Sequence, residues 1–242
     1  MRKLISLLLV SVAFSVMGQT SLIPDMKFRR LDTQNGLSSS QVNNLFKDSR
    51  GYVWIGTPYG LNRYDGYRVR SFYSNKRDTT SMRDNYSDRT YEDRDGRLWL
   101  RQGMNYCVYD PVTEKFERNA SRELAKIGVD VSLEWLYIDS KKNIWVKSFD
   151  DGIYCIHPKE KKGYKITKIK VGYGINEFRP DYGISTVGEM GGWLIIATNK
   201  GQLVALNGNK GEVDWEDTWM HDNGGPENQE YRLFIDHEEN YW

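Results

Sequence analysis

The chain has 242 residues, a net charge of +1 and an aromatic content of 13%. That length is ample for a large hydrophobic core, and the near-neutral charge lacks the basic excess that favours nucleic acid as a partner. The aromatic content is typical of sheets that pack against one another.

The first 18 residues have the pattern of a secretory signal peptide. Two positive residues precede an apolar run at positions 4–16, which is 13 residues long and too short to span a bilayer comfortably. A small residue, Gly18, fits the cleavage rule, so we expect a mature chain that starts at Gln19. An uncleaved anchor helix is the alternative. With cleavage, the rest of the chain is expected to be exported.

After this leader, an acidic residue, a glycine three positions later and a tryptophan six positions later recur along the chain. The five units are Asp48, Gly51 and Trp54; Asp93, Gly96 and Trp99; Asp139, Lys142 and Trp145; Glu189, Gly192 and Ile195; and Asp236, Asn240 and Trp242. The last residues of successive units lie 45, 46, 50 and 47 positions apart. A period of about 45 residues made of short strands is typical of β-propeller blades.

The repeat predicts an all-β fold, a β-propeller built of four-stranded blades, with about four complete blades and the start of a fifth. The predicted propeller domain covers residues 19–242, and its blades cover approximately residues 37–73, 82–120, 130–171, 182–220 and 229–242. A single four-stranded sheet cannot bury both of its faces, whereas blades stacked around an axis can. We interpret the chain as the front part of a larger propeller, and a short secreted four-blade protein is the alternative.

The repeated residues have structural roles in this interpretation. The acidic residue and the glycine form the turn between the first and second strands of a blade, because aspartate bonds to nearby backbone and glycine accepts a positive φ. In the third blade Lys142 replaces this glycine, and Asn143 beside it is expected to supply the turn. Two further glycines, Gly60 and Gly201, suit hairpin turns. The tryptophans are expected between neighbouring sheets rather than as sugar platforms.

The opening of the first blade resembles a known family. The segment contains Asn35–Ser38 (NGLS), the run Trp54–Thr57 (WIGT) and the end Tyr64–Gly66 (YDG). It is similar to the two-component regulator propeller repeats, which form the periplasmic sensor region of hybrid histidine kinases. The later blades depart from the pattern, with Arg101 in place of the glycine of WIGT and Ile195 in place of tryptophan.

This resemblance implies a periplasmic sensor that detects oligosaccharides released from glycans and signals by phosphorelay. Full-length members carry a second propeller, an immunoglobulin-like domain, a membrane helix and a kinase core beyond the first propeller. The partners implied for this chain are therefore an oligosaccharide, the downstream propeller and immunoglobulin-like domain, and a second copy of the chain. The membrane would be reached only through the C-terminal part. No phosphoacceptor histidine motif or nucleotide-binding glycine box occurs in the sequence, so the chain itself is predicted not to be an enzyme.

Other chemistries have weaker support in the sequence. The three histidines lack metal-ligand spacing, and Asp93–Gly96 lacks the downstream glutamate of a calcium loop, so neither a metal nor a cofactor is expected. A glycosidase needs two carboxylates across a cleft, whereas the recurrent carboxylates here belong to turns. A secreted propeller enzyme that acts on glycans and a protein-binding scaffold remain as alternative functions.

Loops at one end of the blades are the expected place for a ligand, because aromatic, arginine and amide groups suit a sugar. The candidates in segments that lead into a first strand are Asn35, Arg83, Asn85, Arg179, Asp181 and Tyr182. The candidates between second and third strands are Tyr59 and Asn105. Two cysteines, Cys107 and Cys155, lie on the third strands of adjacent blades, and their positions differ by one residue when the blades are aligned. Because side chains alternate along a strand, the two are expected to face different ways, so buried free thiols are favoured over a disulfide.

Overall fold

The strands of the chain pair into four separate antiparallel sheets. The structure, a computed structural model, describes residues 30–170, 183–224 and 230–242. Within these residues each sheet has four strands that are hydrogen-bonded in chain order, as in a propeller blade. The predicted fold class, all-β with four-stranded propeller blades, is confirmed.

The strands of each blade are called A to D in chain order. The first blade contains β1 (Asn44–Lys47), β2 (Val53–Thr57), β3 (Gly60–Tyr64) and β4 (Val69–Phe72); the second contains β5 (Arg89–Glu92), β6 (Leu98–Gln102), β7 (Asn105–Asp110) and β8 (Lys115–Glu117); the third contains β9 (Leu133–Ile138), β10 (Ile144–Ser148), β11 (Gly152–Pro158) and β12 (Tyr164–Lys168); and the fourth contains β13 (Ile184–Met190), β14 (Trp193–Thr198), β15 (Leu203–Asn207) and β16 (Glu212–Asp217).

The described helical segments are short. They are a 3-10 turn at Thr33–Asn35, helix α1 at Ala120–Lys126 and helix α2 at Trp219–Asp222. The repeat did not predict α1, although Asn119 caps its start by accepting a hydrogen bond from the Ser121 N–H at 3.1 Å. Ala120 and Leu124, one turn apart, are buried between the second and third blades. None of the helices among the described residues is long and apolar enough to cross a membrane.

A tryptophan lies in the core between each of the first three blades and the blade that follows it. Trp54 packs edge-on against Tyr109 of the second blade, with ring centroids 5.1 Å apart. Trp99 belongs to the core with Leu136 and Val146 of the third blade, and Trp145 belongs to the core with Leu194 and Ile196 of the fourth. Full burial of such a side chain contributes about 1.5–3 kcal/mol, so these residues join one blade to the next.

An aspartate, buried in the first two blades and half-buried in the third, accepts the indole N–H of each of these tryptophans. Asp93 is 2% exposed. Its Oδ1 accepts the backbone N–H groups of Asp95 and Arg97 at 2.9 Å, and its Oδ2 accepts the Trp99 indole N–H at 2.9 Å. The same set of bonds recurs at Asp48 with Trp54 and at Asp139 with Trp145. One carboxylate therefore closes the A–B turn and satisfies a buried donor, which explains the spacing of the repeat.

The third residue after the aspartate has a left-handed backbone in the turn. Gly51 and Gly96 have φ values of 91° and 76°, and Lys142 has a φ of 64°. The expectation that Asn143 supplies this turn is wrong, because Lys142 adopts the left-handed conformation itself. The Lys142 ammonium donates to the backbone O and the Oε2 of Glu92 in the second blade, each at 3.1 Å. A positive φ is unfavourable for a residue other than glycine, and at Lys142 it occurs together with this bond to the neighbouring blade.

The fourth blade has a different A–B turn. Met190 pairs with Trp193 across a two-residue turn, in which Gly191 and Gly192 have φ values of 55° and 88°, as a type I′ hairpin requires. No aspartate is needed to close such a turn. The predicted equivalence of Glu189 to the turn aspartates is wrong, because Glu189 pairs with Leu194 inside the sheet.

Glu189 instead corresponds to Glu92, the last residue of strand A in the second blade. Glu92 accepts the N–H and hydroxyl of Ser49 at 3.0 and 2.7 Å, and Glu189 accepts the Ser140 N–H at 3.0 Å and the Tyr137 hydroxyl at 2.9 Å. In both cases the glutamate reaches the preceding blade. The A–B turns are therefore linked from blade to blade by carboxylates.

The residues that follow the fourth blade repeat the aspartate turn. Asp236 accepts the N–H groups of Glu238 and Asn240 at 2.9 Å, and the Trp242 indole lies 3.4 Å from its Oδ2. Trp242 is 76% exposed here, so it lacks the cover that the earlier tryptophans have. Glu239, whose φ is 63°, accepts the Gly191 N–H of the fourth blade at 3.1 Å.

Both cysteines are buried and free. Cys155 lies opposite the repeat tryptophan Trp145, whereas Cys107 lies opposite Leu100, one residue after the repeat tryptophan Trp99. The two cysteines therefore differ by one position along their strands, as the sequence predicted. Burial raises the pKa of the Cys107 thiol to about 12. It is therefore unreactive at neutral pH.

Candidate ligand-binding face

Two kinds of connection meet at one end of the blades. Because neighbouring strands are antiparallel, the B–C turns and the D–A segments lie at the end opposite to the A–B and C–D turns. We call this end the loop face and define it by the B–C turns at 58–59, 103–104, 149–151 and 198–202. The opposite end is called the turn face.

Side chains at the start of the B–C turns hold these turns in shape. Three turns begin with a hydroxyl residue, Thr57, Ser148 or Thr198. Each hydroxyl accepts the backbone N–H two residues later, at 3.1, 3.2 and 3.3 Å, as in a hydroxyl-stabilised turn. The second turn begins with Gln102, which donates to the Asp84 O at 2.6 Å and accepts the Asp84 N–H at 3.3 Å. The tips are therefore presented from ordered backbone.

Each of the first three B–C turns carries an exposed apolar or aromatic side chain at its tip. Tyr59 is 66% exposed, Met104 is 83% exposed and Phe149 is 60% exposed. The corresponding turn of the fourth blade has Lys200 at its tip. Exposed apolar surface that several neighbouring side chains share is typical of a site that contacts another molecule. These three residues are therefore candidates for binding.

Charged pairs lie at the same end of the second and third blades. Arg101 donates three hydrogen bonds to the carboxylate of Asp88, the shortest at 2.8 Å, and Lys147 is paired with Glu134. Burial opposes the charge on Arg101, but the hydrogen bonds to Asp88 outweigh this effect and raise its pKa. In the first blade the matching position is Gly56, where a Cβ would lie 2.6 Å from the Ser87 carbonyl oxygen. The departure from glycine at Arg101 therefore places an ion pair where the first blade has a tight backbone contact.

Two of the predicted ligand residues use their side chains within the protein. The Asn35 Oδ1 accepts the Asp32 N–H at 3.1 Å and closes the 3-10 turn. The Asn85 Oδ1 accepts the Ser74 N–H at 2.7 Å and orders the D–A segment. We therefore assign both residues to the support of the loop face in this structure.

The remaining candidates divide into exposed residues and residues outside the described ranges. Tyr59, Arg83 and Asn105 are exposed at the loop face. The predictions for Arg179, Asp181 and Tyr182 lie outside the described residues. Met104 and Phe149 were missed, although an apolar residue in a turn that also contains glycine or aspartate was a signal in the sequence. Within the described ranges no group of three histidine, cysteine or acidic residues could hold a metal ion.

The first repeat matches a known family. Residues 36–59 match the model of the two-component regulator propeller. These residues contain β1, β2 and the first B–C turn. The chain carries a two-component regulator propeller repeat. A 71-residue part of the chain is also 35% identical to a histidine kinase of Formosa agariphila, an alignment that covers 29% of this chain and 5% of that protein.

Solved structures that resemble this propeller include two extracellular domains from B. thetaiotaomicron. One belongs to a hybrid two-component system and has a TM-score of 0.57 at 22% identity, over 88% of this chain and 28% of that one. The other is described as part of a one-component system and has a TM-score of 0.52 at 18% identity, over 84% of this chain and 28% of that one. The chain thus spans less than a third of each of these relatives, and the likeness shows the propeller fold.

Proposed function

We propose that this chain is the non-catalytic ligand-sensing propeller region of a periplasmic hybrid sensor histidine kinase. The regulator propeller repeat at residues 36–59 supports the assignment to a two-component sensor. In a full-length protein the ligand signal would pass through a second propeller and an immunoglobulin-like domain to a membrane helix and a kinase. A second copy of the chain is a further proposed partner. Such signalling requires that the ligand bind two states of the sensor with different affinities.

We propose that the ligand is an oligosaccharide and that it binds the loop face. The observation that carries this proposal is the set of exposed tips, Tyr59, Met104 and Phe149, on three successive blades. Aromatic side chains stack on the apolar faces of sugar rings, while the nearby polar groups Arg83 and Asn105 can bond to hydroxyls. A site of this kind would take several sugar units, since it extends over more than one blade.

A panel of neutral and acidic oligosaccharides titrated into the purified chain tests this site. We expect at least one to bind and to be recovered uncleaved. Tyr59→Ala with Phe149→Ala should weaken binding about tenfold or more, because each variant removes an aromatic surface on which a sugar ring can stack; stacking of a nucleic-acid base on an aromatic side chain contributes roughly 1–3 kcal/mol. The control is Tyr67→Ala with Val112→Ala, two exposed residues in C–D turns at the turn face. An equal loss of affinity in both double variants would contradict binding at the loop face. Recovery of cleaved oligosaccharide would contradict the non-catalytic sensor and support an enzyme that degrades glycans.

The sensor assignment has a separate test in the gene. An open reading frame that continues beyond the codon for Trp242 into a membrane helix and a kinase core would support it. A stop codon at that place would contradict it and leave a secreted propeller as the better description.

A further inference from the structure

A pocket of about 510 Å³ lies at the turn face between the second and third blades. It is separate from the loop face, because its walls come from an A–B turn, a C–D turn and the end of α1. The A–B turn of the second blade contributes Arg94 and Asp95, and α1 contributes Lys126. The C–D turn of the third blade contributes Lys161 and Lys162, and Tyr164 begins the strand that follows, β12. Its volume falls in the range of about 300–1,000 Å³ that is usual for small-molecule sites.

Hydrogen bonds between the two blades set the shape of this pocket. The Arg94 guanidinium donates to the backbone oxygens of Glu160 and Lys161, each at 3.2 Å. The Tyr164 hydroxyl donates to the Asp95 Oδ2 at 3.1 Å. Burial, followed by the charges of nearby aspartates, raises the pKa of Tyr164 to about 12, so the hydroxyl keeps its proton at neutral pH. The C–D turn that carries the lysines is thus tied to the second blade before any ligand arrives.

The charge in the pocket is strongly positive. Four cations line it, from Arg94, Lys126, Lys161 and Lys162, against the single carboxylate of Asp95. Lys126 is paired with Glu123 at 2.5 Å, whereas neither Lys161 nor Lys162 makes an ion pair within the described residues. Like charges gathered in one concave place repel each other and raise the local concentration of anions. The Tyr164 ring adds an apolar wall.

We propose that this pocket binds the oxyanion group of a small acidic ligand: a sulfate, a phosphate or a carboxylate. The two lysines supply mobile donors and the guanidinium of Arg94 supplies a fixed one, which together suit an anion with several oxygens. An open pocket of this volume with an aromatic wall fits a compact ligand, whereas a nucleic acid or a membrane surface would need an extended basic stripe. This site does not depend on the oligosaccharide site at the loop face.

Titration of the purified chain with sodium sulfate, sodium phosphate and sodium glucuronate tests the proposal. Sodium chloride holds the ionic strength constant, glucose is the neutral control, and NMR shifts or calorimetry give the affinity. We expect at least one of the three anions to bind and glucose to have no effect. The order of the three affinities identifies which oxyanion the pocket prefers. Binding by none of them more tightly than chloride would overturn the proposal.

Two charge-matched double variants show where the anion binds. Lys161→Gln with Lys162→Gln removes two pocket cations that are exposed and without ion pairs, so the fold should be unchanged. We expect this variant to weaken anion binding about tenfold or more, because hydrogen bonds from charged donors are the strong ones. Lys76→Gln with Arg77→Gln removes two exposed cations from the D–A segment after the first blade and should change the affinity less than twofold. Equal weakening in both variants would indicate general screening and would overturn the proposal.

Discussion

The two ends of the blades use their turns in different ways. At the turn face, the aspartates of the first three blades hold the tryptophans, and the A–B turns are linked from blade to blade by Glu92, Glu189 and Glu239. At the loop face, the turns are closed by their own hydroxyl or amide side chains, and the tips point apolar groups into solvent. The regular repeat in the sequence therefore marks the end where the turns join the blades, whereas the irregular positions between repeats mark the end that carries the exposed apolar side chains.

The largest effect is expected at a turn aspartate. Asp93→Ala should lower the free energy of unfolding by about 3–5 kcal/mol, because it leaves the Trp99 indole and the Arg97 guanidinium without their buried partner. Denaturant unfolding followed by tryptophan fluorescence measures this loss. Asp236→Ala, which changes the same turn around the exposed Trp242, is the matched control and should alter the melting curve little. Similar effects at both sites would mean that burial does not set the strength of the motif.

A tight contact below the loop face provides the next prediction. Gly56→Ala should cost about 1–3 kcal/mol of stability, because its Cβ would meet the backbone oxygen of Ser87 at 2.6 Å and the strand must shift. A lowered melting temperature with retained β-sheet circular dichroism is the expected result. An unchanged melting temperature would show that the first two blades separate easily at this end.

The bridges between blades at the turn face should depend on pH. Burial disfavours the Glu92 carboxylate, but the bonds from Ser49 and Lys142 outweigh this effect and lower its pKa below the ordinary value of 4.5. Because the folded pKa is the lower one, the stabilisation is fully present above about pH 4.5 and is lost as the pH falls through the folded value. Urea unfolding at several pH values should show that Glu92→Gln is less stable than the parent chain near pH 6 and that the difference shrinks below pH 4. A difference that is constant with pH would assign the role of Glu92 to packing alone.

The smallest effect on stability is expected at the loop tips. Replacing Tyr59, Met104 and Phe149 by serine should shift the melting temperature very little, because exposed side chains away from buried features usually contribute within about 0.5 kcal/mol. The same variant should bind less of a hydrophobic dye than the parent chain does. A marked loss of stability would mean that these residues cover other parts of the protein and are not reserved for a ligand.

The period of the repeat was sufficient to predict the blades, but individual positions were assigned less well. The six-residue spacing of Asp93 and Trp99 arises because one carboxylate closes the A–B turn and holds the tryptophan. Each copy of this spacing therefore predicted a blade. Glu189 was placed in the wrong position because two consecutive glycines form a shorter turn and move the acidic residue into the strand. Helix α1 was missed because its signal, an asparagine cap and two apolar residues one turn apart, is short and falls outside the repeat.

The candidate site shows the same division. The antiparallel strand order was sufficient to predict that the candidate loops lie at one end of the blades. The position of Tyr59 between two strands was sufficient to predict that it lies in one of these loops. The sequence could not show that Asn35 and Asn85 bond within the protein, because an asparagine in a loop can either close that loop or bind a ligand. Burial and hydrogen-bond partners distinguish them.

The sequence by itself determined the architecture, since a period of about 45 residues with an aspartate and a tryptophan in phase requires blades that cover one another. Only the tertiary structure decided which side chains join the blades and which remain open to other molecules. Lys142 and Lys161 are both lysines in turns, yet one is bonded to Glu92 of the neighbouring blade and the other lines a positively charged pocket. The physical reason is that a charge acquires its role from the groups that folding brings within a few ångströms of it, and these groups are distant in the chain.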